Sequence, residues 1–176
     1  MRSFTTAMMA GLFLTGAGAP VLAETTSETL FQHKHWEVEL VSYDDGTSAC
    51  LAEVDAGTDS FTLWTYGDSS VRLQFYSVEW AFGDTGDTAN LSVEIDGRGA
   101  WSLTDADLFE NSVLFNLPDS DQSVDFILEV ANGNTLHLRS DTGEGVMDYS
   151  LAGSSASIGA LIDCNEGLAG GTNPFN

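Results

Sequence analysis

The sequence predicts a mainly β domain: an antiparallel β-sandwich or strongly curved barrel of about nine or ten strands, with one C-terminal helix packed on it. Three observations carry this expectation. Short runs of alternating apolar and polar residues recur between Leu30 and Leu151. Gly, Asp, Asn and Ser clusters separate the runs, with no strand-helix-strand rhythm. One late stretch, "YSLAGSSASIGALIDC" from Tyr149 to Cys164, places its apolar residues at helical spacing.

Taken in order, "WEVEL" alternates with Trp36, Val38 and Leu40 on one face and Glu37 and Glu39 on the other. "YDDGTSA" turns the chain into "CLAEV", and "AGTD" leads on to "FTLWTY". If "GDSS" is a four-residue loop, Tyr66 faces Val71, Trp64 faces Leu73 and Thr62 faces Phe75. That register puts Trp64, Tyr66, Val71, Leu73 and Phe75 on one apolar face. "GDTGDT" has nothing apolar to bury and reads as a loop. "LSVEI-DGRG-AWSL" is a hairpin with Leu91, Val93 and Ile95 inward and Trp101 and Leu103 opposite them. "TDADLFEN" reads as a short helical turn, "SVLFNL" as a strand ending at Pro118, and "PDSDQ" as an acidic loop. "VDFILEV-ANGN-TLHLRS" carries the clearest Asn-Gly signal of the chain and reads as a hairpin. "VMDYSL" is the last strand. Ser154 then caps a helix whose apolar side is Ala156, Ile158, Ala160, Leu161 and Ile162.

The domain layout is a signal peptide over residues 1–23, one β domain over residues 24–164 and a flexible tail over residues 165–176. Arg2, the apolar stretch from Ala7 to Leu14 and the small residues ending at Ala23 are the marks of a secretory leader. No later segment offers the roughly 20 apolar residues of a membrane span. Without the leader, four basic residues face 27 acids, a net charge of −23. Such a field repels nucleic acid and anionic lipid, and it suits either a solvated surface or docking to a cationic partner. Cys50 and Cys164 are the only thiols. An exported chain keeps disulfides, so the two are expected to pair.

The candidate chemical sites are few. His33 and His35, two apart, would share a strand face as metal ligands do, but Glu37 and Glu39 continue that face, so a solvated edge strand explains it without a metal. His137 is the only other histidine. Calcium could use Asp84 with Asp87, Asp105 with Asp107, or Asp119, Asp121 and Asp125. "DSDQSVDFILEV", however, lacks the Gly at position 6 and the Glu at position 12 of an EF-hand loop. No G-x-S-x-G elbow, phosphate-cradling loop or dinucleotide fingerprint occurs, and three histidines give a triad little to build on. The residues therefore imply no catalytic group and no cofactor.

"HWEVEL", a Cys fourteen residues after Trp36, "VEIDG" with a following Trp, and "YSLAGSSASIGALIDC" together resemble the small exported proteins of the invasion-associated locus B family. The resemblance implies a β-sandwich covered by an Ala-rich helix, no catalytic residues to carry over, and a periplasmic or secreted accessory protein of the cell envelope that acts by protein binding. One alternative is a periplasmic inhibitor of a basic enzyme such as a lysozyme. The other is a hydrolase using a carboxylate pair.

Overall fold

A computed structural model of the protein describes residues 25–169, so the leader expected over residues 1–23 lies outside the described chain. The alternating runs form ten strands: β1 (Thr26–His33), β2 (Trp36–Ser42), β3 (Ser48–Asp55), β4 (Asp59–Tyr66), β5 (Val71–Ser77), β6 (Thr88–Ile95), β7 (Trp101–Phe109), β8 (Ser112–Asn116), β9 (Thr135–Ser140) and β10 (Gly145–Ser150). Helix α1 (Asp121–Asn132) separates β8 from β9, and α2 (Ser154–Ala169) follows β10. All ten strands pair antiparallel in one sheet, in the order β1-β2-β3-β4-β5-β8-β7-β6-β9-β10. The second meander, β6 to β8, is thus laid down in reverse.

The sheet curls until its distant strands meet. Tyr149 on β10 lies 5.9 Å, ring to ring, from both Phe61 on β4 and Phe75 on β5, strands it never hydrogen-bonds. Phe61 stacks on Phe75 at 5.1 Å and meets Trp36 edge-on at 6.3 Å. Burying an aromatic or large aliphatic side chain is worth about 1.5–3 kcal/mol, so these rings supply much of the force that bends the sheet. The inner face is Trp36 and Val38, Cys50, Ala52 and Val54, Phe61 and Leu63, Leu73 and Phe75, joined by Val93, Ile95, Leu136 and Leu138.

α2 packs on β1 to β4 and against α1. Its buried side is Ser154, Ser157, Ile158, Leu161 and Cys164. Ala156 and Ile162, expected on that side, face outward, Ile162 at 49% exposure. Cys164 is bridged to Cys50 on β3, across 114 residues and a Cα–Cα distance of 6.2 Å. The helix continues to Ala169, so the boundary expected at residue 165 falls inside it; residues 170–176 lie outside the described chain. Gly153, at φ +107°, lets the chain into α2 pass where a Cβ would lie 3.0 Å from the His33 carbonyl oxygen.

Three further expectations are corrected. The β4–β5 loop is one residue longer, so Leu63 faces Leu73 and Phe61 faces Phe75. A slip of one residue exchanges the faces, and Trp64 and Tyr66 therefore stand outside. "TDADLFEN" is no helical turn: Thr104 to Phe109 complete β7, and a tight turn with Glu110 at φ 51° leads to β8. The expected "VDFILEV-ANGN-TLHLRS" hairpin is instead α1 followed by β9. The segment satisfies both periods, since Val124, Phe126, Leu128 and Val130 alternate while Ser123, Phe126 and Val130 fall on one helical stripe. The helical stripe is the one buried, with Trp101 edge-on to Phe126 at 5.5 Å. Gly133 ends the helix in extended backbone, and a Cβ there would lie 2.5 Å from Ile95 Cγ2 and 2.8 Å from Leu151 Cδ1. Close approach, not a hairpin turn, explains this glycine.

The Ser154 hydroxyl does not cap its own helix either. It donates to the carbonyls of Val130 (2.8 Å) and Ala131 (3.2 Å) in the last turn of α1, where the Gly133 amide also donates to Val130 at 3.4 Å. Ser154→Ala should therefore cost about 1 kcal/mol, the net worth of a hydrogen bond whose main acceptor keeps a second donor. Chemical denaturation checks this, and Ser154→Thr should lose less. Cys50→Ser and Cys164→Ser should each lose the same stability, up to about 4–5 kcal/mol, because both open the same loop. The difference from the unsubstituted protein should vanish in reductant.

Candidate functional site

The strongest candidate is the outer side of α1, where a helix needed for the core also shows apolar residues to solvent. Phe126 and Val130 face inward, while Val124 and Leu128, four residues apart on the opposite stripe, are 56% and 52% exposed. Residues at that spacing stand one above the other on a helix surface. Open depressions flank the pair. One, of about 610 Å³, lies beside Leu128 and is lined by Arg98, Ala100, Trp101, Glu129 and Asn132. The other, of about 350 Å³, lies beside Val124 and Ile127 and is lined by Val71, Leu117, Pro118 and the carboxylates of Asp68 and Asp119. A smaller apolar cavity of about 110 Å³, walled by Trp101, Leu103, Phe115, Leu117 and Phe126, shares a wall with each.

Side chains hold the C-terminal half of α1 in place. Trp101 Nε1 donates to Glu129 Oε2 at 2.8 Å, and Arg98 approaches Glu129 Oε1 at 3.7 Å. The same guanidinium lies 3.7 Å from Asp96, at the β6–β7 turn. Asp96 in turn accepts from the backbone amides of Asn134 (3.0 Å) and Thr135 (2.9 Å), directly after the helix. The Thr135 amide foremost, with Asn134 and Arg98, holds the Asp96 carboxyl below the usual carboxylate range. Helix, turn and β9 are thereby fixed relative to one another. The N-terminal half is held less: Ser120 makes no side-chain bond to the helix amides, and Ser123 donates to the Pro118 carbonyl.

The rim is acidic. Asp119, Asp121 and Asp125 are exposed at the start of α1, and Asp68, on the β4–β5 loop, lines the same depression as Asp119. Asp119, Asp121 and Asp125, weighed above as calcium ligands, are thus neighbours of an apolar strip.

The remaining sequence candidates are dispersed. His33 ends β1 and His35 lies in the two-residue turn to β2, with Lys34 at φ 58°, so the two imidazoles do not share a strand face as expected. His137 on β9 pairs with Asp148 on β10, Nδ1 to Oδ1 at 2.6 Å. Asp87 accepts from Thr85 in the β5–β6 loop, and the Asp105 amide donates to Asn90 at an irregularity of β7. Among the described residues no three of His, Cys, Asp and Glu are grouped to hold a metal ion. Cys50 and Cys164 form the clasp described above.

The hairpin expected over residues 124–140 hid this strip. The signal that could have found it is a pair of i, i+4 stripes in one segment, Phe126 with Val130 and Val124 with Leu128. No protein-family model, no curated protein and no solved structure matches the chain.

Asp96 yields a pH prediction. Its folded-state carboxyl titrates below its unfolded value, so the stabilisation is complete above the ordinary range near pH 4 and is lost as pH falls through the folded value. Asp96→Asn should therefore lower the melting temperature at about pH 6 and narrow its gap to the unsubstituted protein by about pH 3.

Proposed function

We propose that the protein is an exported, non-catalytic interaction protein of the cell envelope that binds a basic partner protein through the outer side of α1. The observation that carries this reading is the exposed Val124–Leu128 pair, set between two depressions and rimmed by acids. Apolar anchors in pockets supply affinity, while surrounding charge selects the partner and speeds encounter. A chain with 27 acids and five basic residues favours a cationic partner over any other kind. A basic enzyme such as a lysozyme fits that description, and inhibition would follow from covering its cleft.

The export reading draws on the leader signals and on the Cys50–Cys164 disulfide. Among the described residues no helix is long and apolar enough to cross a membrane. The similarity of "HWEVEL" and "YSLAGSSASIGALIDC" to the invasion-associated locus B proteins supports an accessory role in the envelope.

Titration with a basic lysozyme across a salt series tests the reading. Binding should be saturable at low salt and weaken steeply as salt rises. Val124→Asp and Leu128→Asp should each weaken it about tenfold or more while leaving the unfolding transition in place. Both substitutions add negative charge, so attraction to the overall field alone would hold or tighten. Unchanged or tighter binding by these variants, or no binding at low salt, contradicts the proposal.

A further inference from the structure

The convex side of the sheet carries a second feature, on the opposite surface from the helices. Tyr43, Trp64 and Tyr66 line a depression of about 260 Å³ with Arg72 and Gln74 on β5, Ser112 and Leu114 on β8, and the Phe109–Glu110 turn. The outer face of an antiparallel sheet is ordinarily polar, and the apolar faces of these strands are already spent on the core. Three half-exposed aromatic rings there are surplus to folding.

We propose that this groove is a glycan-binding site that takes a neutral oligosaccharide. A pyranose ring has a C–H-rich face that stacks on an aromatic side chain and a rim of hydroxyls that both donate and accept. Recognising it requires amphipathic rings beside fixed, planar polar groups. The groove has both. Trp64 and Tyr66 are alternate residues of β4, so their side chains leave the same face roughly 7 Å apart. Arg72 stands directly opposite Trp64 in the ladder, and Asn116 stands opposite Arg72.

The polar groups are held before any ligand arrives. Trp64 Nε1 donates to Gln74 Oε1 at 2.8 Å, and Gln74 Nε2 donates to Ser112 Oγ at 2.9 Å. Arg72 Nε donates to Asn116 Oδ1 at 2.8 Å, which fixes the guanidinium plane and leaves its terminal nitrogens to donate. Partial burial, with Tyr66 next in effect, raises the Tyr43 phenol above its usual range. Side chains locked by their neighbours lose little freedom on binding.

Charge selects the sugar class. Among the described residues Arg72 is the one cation lining the groove, Glu110 lines it too, and the whole chain is strongly acidic. A polyanionic glycan would meet net repulsion, whereas a neutral one would not.

Titration calorimetry with cellohexaose, chitohexaose and maltohexaose tests the site in the disulfide-bonded protein. At least one should bind saturably with a dissociation constant below about 1 mM. Trp64→Ala and Tyr66→Ser should each weaken that binding about tenfold, Trp64→Phe should keep most of it, and Arg72→Lys should fall between. Unfolding curves identify any variant that fails to fold; Tyr66→Ser and Arg72→Lys, at half-exposed positions, then carry the test. Saturable binding to none of the three, or binding indifferent to every variant that folds, overturns the proposal. So does binding of oligogalacturonate in preference to all three neutral sugars.

Discussion

The bond between Cys50 and Cys164 is the constraint on which the rest of the structure depends. The buried side of α2 is built largely from small groups, with Ser154 and Ser157 beside Ile158 and Leu161. Such a face lets the helix lie close on β1 to β4, but it buries little apolar surface per turn. A covalent tie to Cys50 in the first half of β3 makes up that deficit by restricting the unfolded chain. Once α2 is seated, its first residue reaches the last carbonyls of α1, so the clasp extends through one hydroxyl to the second helix.

α1 therefore has two attachments and two faces. Ser154 holds its end from one side, and the Trp101, Arg98 and Asp96 cluster holds it from the other. Phe126 and Val130 belong to the core, which leaves Val124 and Leu128 on the exposed side. The firmly held C-terminal half of α1 presents Leu128 without first ordering it, and that lowers the entropic cost of docking. The sheet contributes a second independent surface, because its curl turns one face wholly inward and leaves Trp64 and Tyr66 on the other.

The strands were legible because alternation reports a sheet with one buried face, and the disulfide was legible because two cysteines admit one intramolecular pairing. What escaped reading had physical causes. The residues from Val124 to Val130 fit a period of two as well as one of 3.6, and only tertiary contact, such as that of Phe126 with Trp101, decides between them. Asn132–Gly133 imitates a hairpin signal, but the glycine is there because Ile95 and Leu151 leave no room for a Cβ. The β4–β5 register turned on a single loop residue, and that residue decides whether Trp64 and Tyr66 are core or surface. Both candidate surfaces were therefore hidden by errors of period or register. Neither lacked the residues that would have revealed it.

The helices are held in series: the disulfide seats α2, and α2 seats α1. Amide hydrogen exchange on the oxidised and reduced protein tests it most directly, because it reads each helix separately. Reduction should speed exchange in α2 and in the last turns of α1 together, while β4, β5 and β8 keep their protection. If α1 remains fully protected when α2 opens, the two helices are independent and the account of how the site is held is wrong.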